Sequence, residues 1–230
     1  MRLRAEQVAQ TRQRIVDAAV ALHGSVGPAA TTIAAIADLA QVTRLTVYRH
    51  FPDDEALFNA CSAHWLSQHR LPAPDAWARI GDPAGRLRAG LADLYRFYRQ
   101  GADMLVLIYR DFEALPEPHQ EGLRERDGLF REVLAAPFGD ERLTIAAIGH
   151  AVSFWTWHSL CAVQGLSDQE AVDIMTTAVL AITGTSTAVA HDASVAGMAT
   201  GRGKRGGGAE APPPFNSAVR PGRDSTRGHS

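Results

Sequence analysis

Between Thr43 and His50 the chain concentrates side chains that donate hydrogen bonds and carries no carboxylate: Thr43, Arg44, Thr46, Tyr48, Arg49 and His50. An arginine can pair with O6 and N7 of guanine in a major groove, and a threonine can touch a thymine methyl or a phosphate. Tyrosine, threonine and histidine suit phosphate oxygens. Two functions fit this face. It reads DNA, or it is the solvated polar side of a small bundle helix. Spacing alone does not separate them.

The surrounding elements say how such a face would be held. A first helix is expected from Arg4 to His23, with Val8, Ile15, Ala19 and Leu22 on one side. Gly24 and Gly27-Pro28 stop it. A second helix follows Thr31-Thr32, whose hydroxyls can cap it, and turns Ile33, Ile36, Ala37 and Ala40 inward. Gln41-Val42-Thr43 forms the turn. The third helix runs from Arg44 to about Phe51, with Thr43 as N-cap and Val42 and Val47 at hydrophobic-staple spacing. Val42, Val47 and Phe51 then face inward and the donors face out. This is a helix-turn-helix over about 31–51. Pro52-Asp53-Asp54-Glu55 is an acidic first turn for a fourth helix running toward His69.

Residues 11 to 60 resemble the TetR/AcrR family of bacterial repressors. The resemblance rests on Ile15, Ala18-Ala19, Leu22, Gly27, Thr31-Thr32, Ile36-Ala37, Ala40, Val42-Thr43, Tyr48, His50-Phe51 and Glu55-Ala56-Leu57. It implies that Thr32 and Thr43 contact phosphates at their helix starts and that Arg44 reads bases. Thr46 and Tyr48 would contact the backbone or groove wall, and His50 a phosphate. Three positions depart from the family pattern. Gln41 stands where glycine is usual, and at φ > 0 it would be strained by roughly 1–2 kcal/mol. Asp54 replaces a lysine, removing an implied phosphate contact. His23 replaces an aromatic packing residue and reads as a substitution at the core edge.

Beyond residue 70 the pattern is of longer helices. Asp82-Pro83 is an N-cap with a proline at the first helical position, and Leu87, Leu91, Leu94 and Tyr98 mark one face. Met104 to Phe112 reads as a mostly buried helix. Pro118 to Leu134 carries a charged face of Glu121, Arg124, Glu125 and Arg126. From Leu143 through Ser167, and again from Ile174 through Ala190, no residue is formally charged. A helix apolar on every side must be buried. Polar interruptions such as His150 and Ser153, and a Ser167–Glu170 capping box, favour burial in a dimer over a membrane. Ala178, Ala181, Gly184, Thr185 and Ala188 form a small-residue seam for a partner helix. The resemblance implies the same homodimer through the last two helices. A twofold dimer places two recognition helices about one DNA turn apart and predicts a palindromic operator.

The resemblance also implies a small-molecule effector that shifts the dimer to a state unfit for DNA. Aromatic and polar groups in apolar helices are the sequence's pocket candidates: Tyr95, Tyr109, Phe112, Phe154, Trp155 and His158, with Trp157 beside them. They suit an aromatic or lipophilic molecule, and core packing is the competing role for each. His150 and His158 lie too far apart for a chelate without a third ligand. Cys61 and Cys161 read as inert buried thiols. No phosphate loop, nucleophile elbow, zinc-protease helix or paired-cysteine motif occurs, so neither an enzyme nor a cofactor is expected. An all-helical ligand-binding module without DNA-binding activity is the alternative function.

The expected architecture is therefore all-α. It comprises a helix-turn-helix domain over 1–70, a ligand-binding and dimerisation domain over 71–192, and a disordered Gly/Pro-rich tail over 193–230. The first ten residues lack the apolar core of a secretory signal, so the cytoplasm is the expected location. The net charge of −2 hides a division: +3 over 1–51, −9 over 52–192 and +4 over 193–230. A modestly basic head would face phosphate, and the basic tail would add nonspecific affinity.

Overall fold

The computed structural model describes residues 2–199, with side chains placed over 4–184. Every regular element among them is helical, and no helix among them is long and apolar enough to cross a membrane. The tail expected to be disordered lies outside the described residues from Thr200 onward.

Four helices build the N-terminal core: α1 (Arg2–His23), α2 (Ile33–Leu39), α3 (Arg44–His50) and α4 (Asp54–Ser67). Ile15, Ala19, Ile36, Ala37, Val47, Phe51 and Leu57 meet in it. The caps are those the residue types dictate. Thr32, Thr43 and Asp53 accept from the backbone N–H groups of Ala35, Thr46 and Ala56. Gln41 does take the left-handed conformation, at φ 55°. One expectation fails here. Val8 does not share the buried face of Ile15: residues 4–10 are all exposed.

The second core is built from α5 (Pro74–Ala78), α6 (Pro83–Gln100), α7 (Ala102–Arg110), α8 (Glu117–Ala135), α9 (Arg142–Ala151), α10 (Phe154–Trp157) and α11 (Asp168–Ala199). Asp82 caps α6 by accepting from Gly85 N–H at 2.6 Å. Leu87, Leu91, Leu94 and Tyr98 are buried on one face, as the spacing predicts. Ser167 and Glu170 cap each other's backbone at the start of α11, at 3.2 and 2.9 Å.

Five differences from the sequence expectation stand out. The helix expected over Met104–Phe112 ends at Arg110, and of α7 only Leu105 is fully buried. Met104, Leu105 and Ile108 border a cavity, and Leu105 also packs in the second core. Arg126 leaves the charged outer face of α8 and turns in, donating to Tyr109 Oη at 2.8 Å. The uncharged run from Leu143 is not one helix. It breaks after Ala151, where Ser153 is extended, and resumes as α10 and a π-helical turn over His158–Val163. A helix break orphans carbonyls, and here the Tyr95 and Tyr98 hydroxyls donate to Ala151 O and Val152 O at 2.8 and 2.7 Å. Nor are these apolar stretches buried on every side within one chain. Leu143, Trp155, Val163 and Ile174 are exposed, Val163 by 71%. Finally, α11 continues to Ala199, past the compositional change at Ala193, because alanines and a methionine still favour a helix there.

Candidate DNA-binding surface and ligand cavity

α3 is anchored by Val47 and by Phe51, which follows its last turn; both are buried. Arg12 of α1 lies over the Phe51 ring at 4.7 Å and braces it. With that side fixed, Arg44, Tyr48 and Arg49 stand exposed on the other, and Thr46 and His50 are half-buried at its margin. Thr43 is exposed at the helix start. Its Oγ1 accepts from Thr46 N–H at 3.1 Å and lies 2.9 Å from Thr46 Oγ1. Thr32 occupies the corresponding place on α2, accepting from Ala35 N–H at 3.1 Å. Both threonines therefore sit at helix N-termini, where free backbone N–H groups favour an anion. All seven sequence-predicted positions lie on α2, α3 or their caps. No acidic side chain belongs to α3, while Asp53, Asp54 and Glu55 are exposed at the start of α4.

Leu45 completes the face and was missed. It is 68% exposed amid donors, and an apolar side chain there suits a thymine methyl. The signal was present: Val47 points inward, and a position two residues away lies on the far side of a helix.

The pocket candidates from the sequence mostly form core. Tyr95, Phe154 and Trp157 are buried. Phe154 stacks on Tyr109 at 5.0 Å and meets the Tyr98 ring edge-on at 5.5 Å. The Tyr109 hydroxyl is held between Arg126 and Asp127. Phe112 lies under the Arg124 guanidinium at 4.8 Å. His158 packs against Phe154 and Trp155. Trp155 is 45% exposed and borders a shallow depression with His150, Ser159 and Met175.

An apolar cavity lies elsewhere, between α1, α4, α7 and α8, with a volume of about 320 Å³. Val20, Phe58, Trp65, Met104 and Leu123 supply apolar wall, and His23, Ser62, His119 and Arg126 supply polar groups. None of the six sequence candidates lines it. His23 and His119 flank Phe58, at ring distances of 5.1 and 4.4 Å. Burial pushes the His23 imidazole down to about 4 and lowers His119 as well, against the opposing pull of Glu55. Burial also pushes the Cys61 and Cys161 thiols up, to about 12 and about 11, so both stay protonated. The cavity was illegible in sequence, apart from one clue: His23 sits where the resembled family has an aromatic.

A polar clamp ties the loop between α1 and α2 to the end of α7. Asp111 accepts from Ala29 N–H at 3.0 Å and from Arg110 Nε at 2.7 Å. Arg110 in turn donates to Val26 O at 2.9 Å. Both side chains pack where a Cβ on Gly27 would lie, and Gly27 has φ 94°. Only glycine fits both demands.

Solved structures share this fold. A TetR-like transcriptional regulator from Rhodococcus sp. RHA1 superposes with a TM-score of 0.54 at 20% identity, covering 74% of this chain and 93% of its own. AibR, solved with isovaleryl coenzyme A and operator DNA, gives a TM-score of 0.54 at 18% identity, covering 72% and 96%. At such identities the likeness speaks for the fold. Residues 15–61 match the model for bacterial regulatory proteins, tetR family. The probable acrEF/envCD operon repressor of Escherichia coli K12 is 34% identical over 137 residues, covering 55% of this chain. The regulator TtgR of Pseudomonas putida is 35% identical over 92 residues, covering 39% of this chain. The chain spans 62% of the first relative and 43% of the second. Over its first four helices the chain is similar to the TetR family.

Proposed function

We propose that the protein is a sequence-specific transcriptional repressor that binds a palindromic operator as a homodimer and is released by a small molecule. The observation that carries this is the match over 15–61 coinciding with an exposed, carboxylate-free donor face on α3. In this reading Arg44 reads bases, and Thr32, Thr43, Thr46, Tyr48, Arg49 and His50 contact the backbone or groove. Residues 1–70 form the DNA-binding half and 71–192 the ligand and dimer half. The dimer forms through the last helices, where Leu143, Val163 and Ile174 offer exposed apolar side chains and Ala178 and Gly184 are exposed small residues. A cytoplasmic location follows from the function. AibR's complex with both an acyl-CoA and operator DNA supports a ligand-responsive role on this fold.

Selection from a random-sequence DNA pool at low salt, followed by gel shift, tests the reading. A palindromic consensus is expected. No enrichment would leave the alternative, a ligand-binding module without DNA-binding activity. Light scattering at micromolar concentration should give twice the chain mass, and a monomer mass would remove the dimer.

A further inference from the structure

The cavity between α1, α4, α7 and α8 is bordered by two imidazoles, one guanidinium and no carboxylate. The guanidinium is already engaged: Arg126 Nη2 donates to Tyr109 Oη and lies 3.3 Å from Asp127 Oδ1. Burial keeps His23 and His119 uncharged at neutral pH. A cation entering this space would lose its hydration and meet no counter-charge. An anion would meet only an arginine whose charge Asp127 already offsets. Among the lining's polar atoms, one is both shielded from solvent and left over. His119 Nδ1 is shielded from solvent and has no hydrogen-bond partner, an arrangement whose cost a ligand group can relieve. The volume is at the small end for ligand pockets, enough for two fused rings.

We propose that this cavity is the effector site and takes an uncharged, compact lipophile with a single hydrogen-bonding group that pairs with His119 Nδ1. The assignment rests on the ligand-released function above. The ligand would sit against α1 and α4, which carry the DNA-binding core, and against α7, whose end holds the clamp to the α1–α2 loop.

The test titrates 1-naphthol, naphthalene, 1-naphthoate and 1-naphthylmethylammonium against the full chain without DNA. Quenching of tryptophan emission reports binding, because Trp65 borders the cavity. In the wild type, 1-naphthol should bind tightest, with naphthalene and both charged analogues weaker by about tenfold or more, the scale of one hydrogen bond. His119→Phe keeps a ring against Phe58 and removes the nitrogen, so 1-naphthol and naphthalene should come within twofold. Gly122→Leu on α8 places a side chain where a Cβ meets nothing within 4 Å. It should fill the cavity and abolish quenching, with an unchanged or higher Tm. The proposal is overturned if 1-naphthol binds no better than naphthalene, if a charged analogue binds best, or if Gly122→Leu binds like the wild type. The titration contains no DNA, so it stands apart from the repressor reading. Failed operator selection with naphthol binding intact overturns the repressor alone. Operator binding without naphthol binding overturns this site alone.

Discussion

His23 ties stability to pH with a sign and size that follow from its surroundings. Its ring is 8% exposed, packed on Phe58 inside the cavity wall. Burial lowers its pKa to about 4, from 6.5 in the unfolded chain. The unfolded state therefore binds a proton more readily over this range, and stability rises with pH wherever that is so. The contribution is fully present above pH 6.5 and is lost as pH falls through about 4. A shift of this size corresponds to about 3 kcal/mol. Other groups titrate in the same window, so the measurement is a difference. His23→Phe retains an aromatic against Phe58 and removes the titration. Urea unfolding of both proteins should be followed at half-unit steps between pH 8 and 4. The wild type should lose about 3 kcal/mol more than the variant, mostly below pH 6.5. A difference between the two that stays constant with pH would refute the reasoning, because the proton would then be taken up without opening the packing around His23.

Three further outcomes are expected. Arg44→Ala should lose about 1–3 kcal/mol of base discrimination at one position of each half-site, measured by competition gel shift against singly substituted operators; an unchanged preference would remove Arg44 from the reading face. Gln41→Gly should raise the urea midpoint by the equivalent of about 1 kcal/mol, since glycine relieves the left-handed conformation at φ 55°; a lower midpoint would mean that the glutamine side chain contributes more than its backbone costs. Asp111→Ala breaks the clamp to Ala29 and Arg110. Operator affinity and naphthol quenching should persist while naphthol-driven release from DNA weakens, and full release would show that the clamp transmits nothing.

The helix-turn-helix was legible because its determinants are local. Thr32, Thr43, Asp53, Asp82 and the Ser167–Glu170 pair each bond within three residues of themselves, so residue type and spacing suffice to place them. Val47 and Phe51 set the inward side of α3, and the donor face follows by periodicity, Leu45 included. Gln41 was marked as a candidate positive-φ position only through the resemblance, which has glycine there, and it takes φ 55°. The ligand site was not local. Tyr95, Phe154 and Trp157 carry the chemistry of a pocket in their types, but they pack on one another and on the break after Ala151, where two tyrosine hydroxyls satisfy freed carbonyls. Arg126 looked like part of a solvated face until Tyr109 and Asp127, from two helices, met it inside. The sequence by itself determined the four N-terminal helices, their side-chain caps and which face of α3 is offered outward. Only the tertiary structure decided where side chains fail to fill the space between α1, α4, α7 and α8. A cavity is a property of four surfaces meeting, and none of the four is adjacent in sequence to all the others.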